Sequence, residues 1–224
     1  VVIGHPALAP KLDSHSWALA QNCASVLLGG KIIGTYAKHH LPNYSVFDEY
    51  RIFVPGNELL SFEFLGLKFS TLICEDIWQS GGPVAQLANS NTDIVLVLNG
   101  SPFEIDKDDK RQQLVRNLAV KNKTAVAYVN LVGGQDDLVF DGDSLLVDAT
   151  GKLIGRAKQF ESDVIFFDID SKQDIQMIGE PRITKNDDRE QVWNALVLGL
   201  RDYVNKNGFK SVVLGLSGGI DSAL

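Results

Sequence analysis

"LKFSTLICEDIW", residues 67–78, decides how this chain is to be read. A run of apolar and β-branched residues ends on Cys74, and two carboxylates, Glu75 and Asp76, follow at once, with Trp78 just beyond. Such a run reads as a buried strand, and the acidic pair marks where the chain leaves the core. A cysteine on a strand is most often a small buried core residue, which suits Cys23 inside its apolar segment. Cys74 fits that description less well. At a strand exit a thiol is a candidate nucleophile, once a base or a nearby cation activates it.

Working outward, short apolar runs alternate with turn signals. Strands are expected at 1–6, 24–38, 61–74, 92–101, 124–134, 143–155 and 163–170, with hairpins around Gly30, Gly66 and Gly151. Helices are expected at 82–91, with Pro83 in the first turn, and at 106–123. This is a strand-rich α/β chain whose runs are apolar enough to lie between layers.

A break follows Asp170. Residues 171–187 are polar, aperiodic and contain Pro181, so they read as a linker. A helix follows over 188–208, with Asp187 and Glu190 as a capping box and Gly208 as C-cap. Its core-facing stripe is expected to hold Val192, Ala195, Leu196, Leu200, Tyr203 and Val204. Then "KSVVLGLS" reads as a strand running into "GLSGGIDS", residues 215–222. Glycines without Cβ let backbone N–H groups approach a phosphate, and the flanking hydroxyls can donate further bonds. The division expected is a first domain over 1–170, a linker over 171–187, and over 188–224 the first βα unit of a second domain. We read the chain as a piece of a longer protein.

The 224 residues are 45% apolar and 22% charged, as in an ordinary globular protein. A net charge of −7 argues against nucleic-acid and anionic-membrane partners. Apolar runs reach only about five residues, against ~20 for a membrane span. Two distant cysteines do not make a disulfide framework, and a reducing cytoplasm is the default compartment.

A cation for Cys74 is offered by "TYAKHHLPNYSVFDEYRIFVPG", residues 35–56. Lys38 ends a strand and precedes His39 and His40. The histidines suggest a Cys-His pair, but nothing in the sequence selects which one faces the thiol. Two adjacent histidines with no further ligand at metal spacing do not make a metal site.

The segments "KHHLPNYSVFDEYRIFVPG", "LICEDIW", "LNGSPFEIDK", "YVNLVGGQDDLVFDGDS" and "LGLSGGIDSAL" resemble, in this order, the glutamine-dependent NAD⁺ synthetases. The resemblance covers essentially the whole chain. It implies a nitrilase-like α-β-β-α sandwich carrying a Glu-Lys-Cys glutaminase site, followed by the start of a doubly wound, ATP-pyrophosphatase-type synthetase domain. By motif, Lys38 is the family's lysine and Cys74 its nucleophile, with the backbone N–H of Glu75 helping to hold the oxyanion. The family's glutamate is expected ahead of Val1; Glu49 and Glu63 stand in other motif contexts.

The resemblance further implies glutamine contacts from Tyr44, Ser101 and Lys107, with Lys110 as a competitor for the last. Trp78 either walls the pocket or anchors its loop. Gly215, Leu216, Ser217, Gly218, Gly219, Ile220, Asp221 and Ser222 look like the ATP loop, with Mg²⁺ on the phosphates and deamido-NAD⁺ as the acceptor of ammonia. Self-association into a homo-oligomer is expected from the same source. Two other readings compete: an amidase of small amides fused to another ligase, and a non-catalytic scaffold.

Overall fold

A computed structural model of the chain describes residues 1–9, 20–170 and 174–224. Positions 171–173, the opening of the expected linker, lie outside the described residues. The first strands, β1 (Val2–Leu8), β2 (Ala20–Leu28) and β3 (Lys31–Ala37), form an antiparallel sheet in that order. The β2–β3 turn requires left-handed backbone at Gly29 and Gly30, with φ of 57° and 76°, which glycine adopts without a Cβ clash.

The next segments are β4 (Leu60–Phe64), β5 (Leu67–Ile73), β6 (Ile94–Asn99) and β7 (Ala125–Asn130). A hairpin of β8 (Val132–Gln135) and β9 (Leu138–Asp141) precedes β10 (Leu145–Val147) and β11 (Leu153–Arg156). A six-stranded sheet runs β11-β10-β7-β6-β5-β4, parallel across β5, β6 and β7 and antiparallel elsewhere. Helix α1 (Gly82–Leu87) connects β5 to β6, and α2 (Lys107–Asn122) connects β6 to β7. Parallel neighbours need such crossovers.

Period-two alternation assigns each face of this sheet. Val95, Val97, Val126 and Tyr128 join the core that holds Val84 and Leu87 of α1 and Val115, Leu118 and Ala119 of α2. Ile94, Leu96, Ala125 and Ala127 point the other way. On that side Val26, Leu28 and Ile33 of the small sheet face Phe62, Phe64, Phe69 and Leu96 of the large one. The layers are therefore helix, sheet and sheet, three of the four expected; an outer helical layer on the small sheet is not among the described residues.

Three sequence expectations change. The expected strand at 163–170 shortens to β12 (Phe167–Ile169), because its partner β13 (Ile175–Met177) is only three residues long. That partner arises inside the expected linker, where Ile175 and Met177 are apolar enough to cover β11. Arg182 of the same segment accepts a backbone bond from Arg156 at 2.7 Å. The segment expected as a strand before residue 217 stays exposed and pairs with no described strand, so it earns no ladder.

Helix α3 (Asp188–Lys206) starts as expected, with the Asp187 carboxylate accepting from the Glu190 amide at 2.9 Å. It packs on the β8–β9 hairpin through Ala195 and Leu198, against Val132, Val139, Phe103 and Phe160. Leu196, Leu200 and Tyr203 of the expected stripe are exposed instead. The helix is apolar on more than one side, and the close approach of Gly134 to Gly199 selects the face that is buried.

Candidate active site

In open α/β sheets, ligands bind beyond the carboxyl ends of parallel strands. Strand β5 ends at Ile73, β6 at Asn99 and β7 at Asn130, in register across the sheet. Above these ends lies a cavity of about 600 Å³, lined by Lys38, Glu49, Cys74, Asn22, Phe47 and Asn130 among others. The structure thus brings Lys38 and Cys74 into one cavity, from different sheets.

Cys74 opens a 3₁₀ turn, Cys74–Ile77, with a φ of +43°. A side chain in that left-handed conformation costs roughly 1–2 kcal/mol, so its surroundings must hold it. The thiol is half-buried, and burial pushes it up to about 11. Lys38 pulls it down, while Glu75, Glu49 and Asp76 push it further up. At neutral pH the thiol therefore keeps its proton and needs an acceptor before it attacks.

Lys38 follows β3 and is only 2% exposed. Its backbone is fixed on both sides, donating to Asn22 O and accepting from the Gly56 amide, each at 2.8 Å. Gly56 has to be glycine, since a Cβ there would run into the Ala37 carbonyl. The Lys38 ammonium donates to Glu49 Oε1 at 2.6 Å, and Glu49 also accepts from Asn22 at 3.4 Å. Glu49 is thus part of the cavity, although its motif context gave no reason to expect it there. The signal available was an acid eleven residues after the lysine. Glu63 lies on β4 opposite Lys68, away from the cavity lining.

The remaining expected residues divide. Tyr44 donates to Glu75 Oε2 at 2.8 Å and packs edge-on against Phe47; burial, then the Glu75 bond, raise its phenol to about 12. The other Glu75 oxygen accepts from Gln79 at 2.7 Å, so the buried Glu75 carboxylate ties Tyr44 and Gln79 to the turn that carries Cys74, and neither Tyr44 nor Glu75 lines the cavity. Ser101 sits behind the lining: its hydroxyl and carbonyl are both taken by Arg111, at 3.3 and 2.9 Å. Arg111 is itself fully buried and bidentate on Asp141. Lys107, the first residue of α2, pairs with Glu104 in the turn before the helix and is not part of the cavity lining. Trp78 packs against the main core, which favours the anchor over the wall.

His39 and His40 stack edge-on on each other, 4.5 Å apart, and crowd Gly82. Neither lines the cavity with Cys74, so the Cys-His pair is not formed. Among the described residues no three His, Cys, Asp or Glu side chains converge as metal ligands.

The loop at 215–222 is exposed, with Gly218 at a φ of +85°. Its hydroxyls serve one another: Ser222 Oγ accepts from the Ser217 amide at 3.1 Å and lies 2.9 Å from Ser217 Oγ. A phosphate would have to replace these bonds.

Comparison with known proteins fits this geometry. The sequence model of carbon-nitrogen hydrolases matches residues 8–177, and that of NAD synthase matches residues 192–224. A glutamine-dependent NAD(+) synthetase from Acinetobacter baylyi is 46% identical over 205 residues, covering 91% of this chain and 37% of that protein. One from Aquifex aeolicus is 42% identical over 232 residues, covering 90% of this chain and 41% of the relative. The chain therefore spans about two-fifths of the length of the curated relatives it matches. The solved glutamine-dependent NAD+ synthetase of Acinetobacter baumannii, in complex with ADP, superposes with a TM-score of 0.89 at 40% identity, over 99% of this chain and 41% of that one. An amidase of the nitrilase superfamily from Nesterenkonia superposes at 0.56 with 26% identity, over 62% of this chain and 52% of its own. With a layered α/β fold, a cysteine and a lysine meeting above parallel strand ends, and a family match over residues 8–177, this chain belongs to the carbon-nitrogen hydrolase family.

Proposed function

We propose that residues 1–170 act as the glutaminase unit of a glutamine-dependent NAD⁺ synthetase, and that 188–224 open its synthetase unit. The observation that carries this reading is the shared cavity of Lys38 and Cys74 above the parallel strands. Cys74 sulfur bonds to the side-chain carbonyl carbon of glutamine, and the carbonyl electron pair moves onto oxygen. The Lys38 ammonium and the Glu75 backbone N–H face that oxyanion; such a donor is worth about 10²–10³ in rate. The carbon–nitrogen bond then breaks as the leaving nitrogen takes up a proton, giving ammonia and a glutamyl thioester. Water hydrolyses the thioester to glutamate.

The attack needs an acceptor for the thiol proton, and base catalysis of this kind contributes roughly 10²–10⁴-fold. Glu49 is occupied with Lys38 and orients it. Tyr44, held by Glu75 beside the Cys74 turn, meets the polar end of glutamine, while Ser101 and Trp78 anchor the turns behind the cavity.

ATP is bound by residues 215–222, where Gly218 opens the loop and Ser217 and Ser222 supply hydroxyls. The deamido-NAD⁺ carboxylate attacks the α-phosphorus of ATP and releases pyrophosphate, and ammonia then displaces AMP from the acyl adenylate to give the amide. Mg²⁺ finds no ligand set among the described residues, where Asp221 stands alone and exposed, so no step is assigned to it.

The test uses the full-length enzyme carrying Cys74→Ala. NAD⁺ and AMP release from ATP and deamido-NAD⁺ should vanish with glutamine and persist with high ammonium. Retained glutamine-driven synthesis would move the nucleophile elsewhere. Loss of both reactions in a folded variant would assign Cys74 to the synthetase chemistry.

A further inference from the structure

We propose that Asp76 is a positioning residue for this reaction: one buried carboxylate that ties the turn carrying Cys74 to the loop carrying Lys38. The inference rests on the glutaminase reading above.

Asp76 is fully buried, and four donors reach its two oxygens. Oδ2 accepts from the Ile73 amide at 3.0 Å and from the Tyr36 hydroxyl at 2.7 Å. Oδ1 accepts from the amides of His39 and His40, at 3.1 and 2.9 Å. An ionised carboxylate offers about four lone-pair sites, and all four are used.

The location of these donors makes the arrangement more than ordinary hydrogen-bond satisfaction. Ile73 immediately precedes Cys74, and its bond to Asp76 closes a ring over the residue held at positive φ. His39 and His40 immediately follow Lys38. Tyr36 precedes Lys38 by two residues on β3. Both reacting side chains are therefore adjacent, along the backbone, to groups held by the same carboxylate. Catalytic groups displaced by about 1 Å lose on the order of 10²-fold in rate.

Asp76→Asn in the full-length enzyme tests this. The amide nitrogen must face either the Ile73 amide or the His39–His40 pair, donor against donor, so one of the two loops is released. Glutamine-driven kcat should fall about 10²-fold with KM changed by less than about threefold, while ammonium-driven synthesis is unchanged.

A purely structural role would not move the pH profile of Cys74 alkylation by iodoacetamide upward. Lys38 faces the thiol and lowers its pKa; Glu75, Glu49 and Asp76 face it and raise it. Removing the Asp76 charge alone would shift the profile down, whereas loosening Lys38 shifts it up, and the upward shift is expected. A downward shift with glutamine turnover near that of the parent would overturn the proposal.

Cys74→Ala run in parallel separates the two ideas. If it retains glutamine turnover, the nucleophile assignment fails. If it is inactive while Asp76→Asn turns over normally, only the role of Asp76 fails. Should Asp76→Asn not fold, Tyr36→Phe decides, because it removes one donor and leaves the carboxylate. A several-fold lower kcat at constant KM supports the clamp, and a parental kcat overturns it.

Discussion

Two turns in this chain follow apolar segments, and the structure treats them in opposite ways. The Cys74–Ile77 turn is capped by a buried carboxylate with four hydrogen bonds and braced by Tyr44 and Gln79 through Glu75. The Ser217–Ser222 turn is exposed, and the bonds that order it come from its own serines. The first grows out of β5, which is paired on both sides. The second grows out of a segment with no ladder. A strained side chain can be held only where the backbone beneath it is already fixed, as with Cys74.

The largest test of that contrast is Arg111→Met. Asp141 would remain buried without its bidentate partner, which typically costs 3–5 kcal/mol. In a chain of this size that is a drop of roughly 6–20 °C in Tm. Ser217→Ala, by contrast, should stay within about 0.5 kcal/mol. Calorimetry of both variants checks the pair; comparable Tm values would mean that Arg111 is not holding the floor beneath Ser101.

Lys38→Met comes next. Without the ammonium, glutamine turnover by the full-length enzyme should fall about 10²–10³-fold, with ammonium-driven synthesis intact. A loss smaller than about tenfold would mean that the oxyanion is held by the Glu75 N–H alone. Glu49→Gln should cost less, since it weakens the ion pair but leaves the cation in place.

The pH dependence of Cys74 is a subtler measure. Because its folded-state pKa is raised, the thiol stays protonated through neutral pH, and the thiolate fraction grows up to about 11. Alkylation of the chain should therefore keep accelerating past pH 9, where an ordinary thiol levels off. A plateau near pH 8 would show that Lys38 outweighs burial.

The parts legible in the sequence were those decided by neighbouring residues. The unbroken apolar run at 94–98 encodes a strand covered on both faces, and Gly66 and Gly151 mark hairpins because φ there is 79° and 84°. Lys38 and Cys74 were marked by their positions at strand ends. Asp76 was not: three of its partners lie 36–40 residues away along the chain, and no local pattern records them. β13 was hidden because two apolar residues in a polar stretch show no periodicity until β11 is beside them.

The smallest predicted effects come from two glycines that fail for different reasons. At Gly134 an added Cβ would sit 3.0 Å from the Gly199 Cα and 3.2 Å from the Asp202 Cβ. Both neighbours belong to α3, whose backbone cannot swing aside as a side chain can. Relief requires α3 to lift from the hairpin, stretching the 2.8 Å bond from the Gly134 amide to Asp202 and unpacking Ala195 and Leu198. Overpacking of this kind costs about 1–3 kcal/mol. At Gly218 nothing lies within 4 Å, and the penalty is conformational, since φ is +85°. Alanine there disfavours the observed turn by about 1 kcal/mol. The turn contributes almost nothing to the packed core, so that cost falls on the loop and not on global unfolding. Urea midpoints should therefore separate the variants, with Gly134→Ala lowered and Gly218→Ala unchanged. If Gly218→Ala fell as far as Gly134→Ala, the exposed loop would belong to the same cooperative unit as the Cys74 turn, and the contrast between them would be lost.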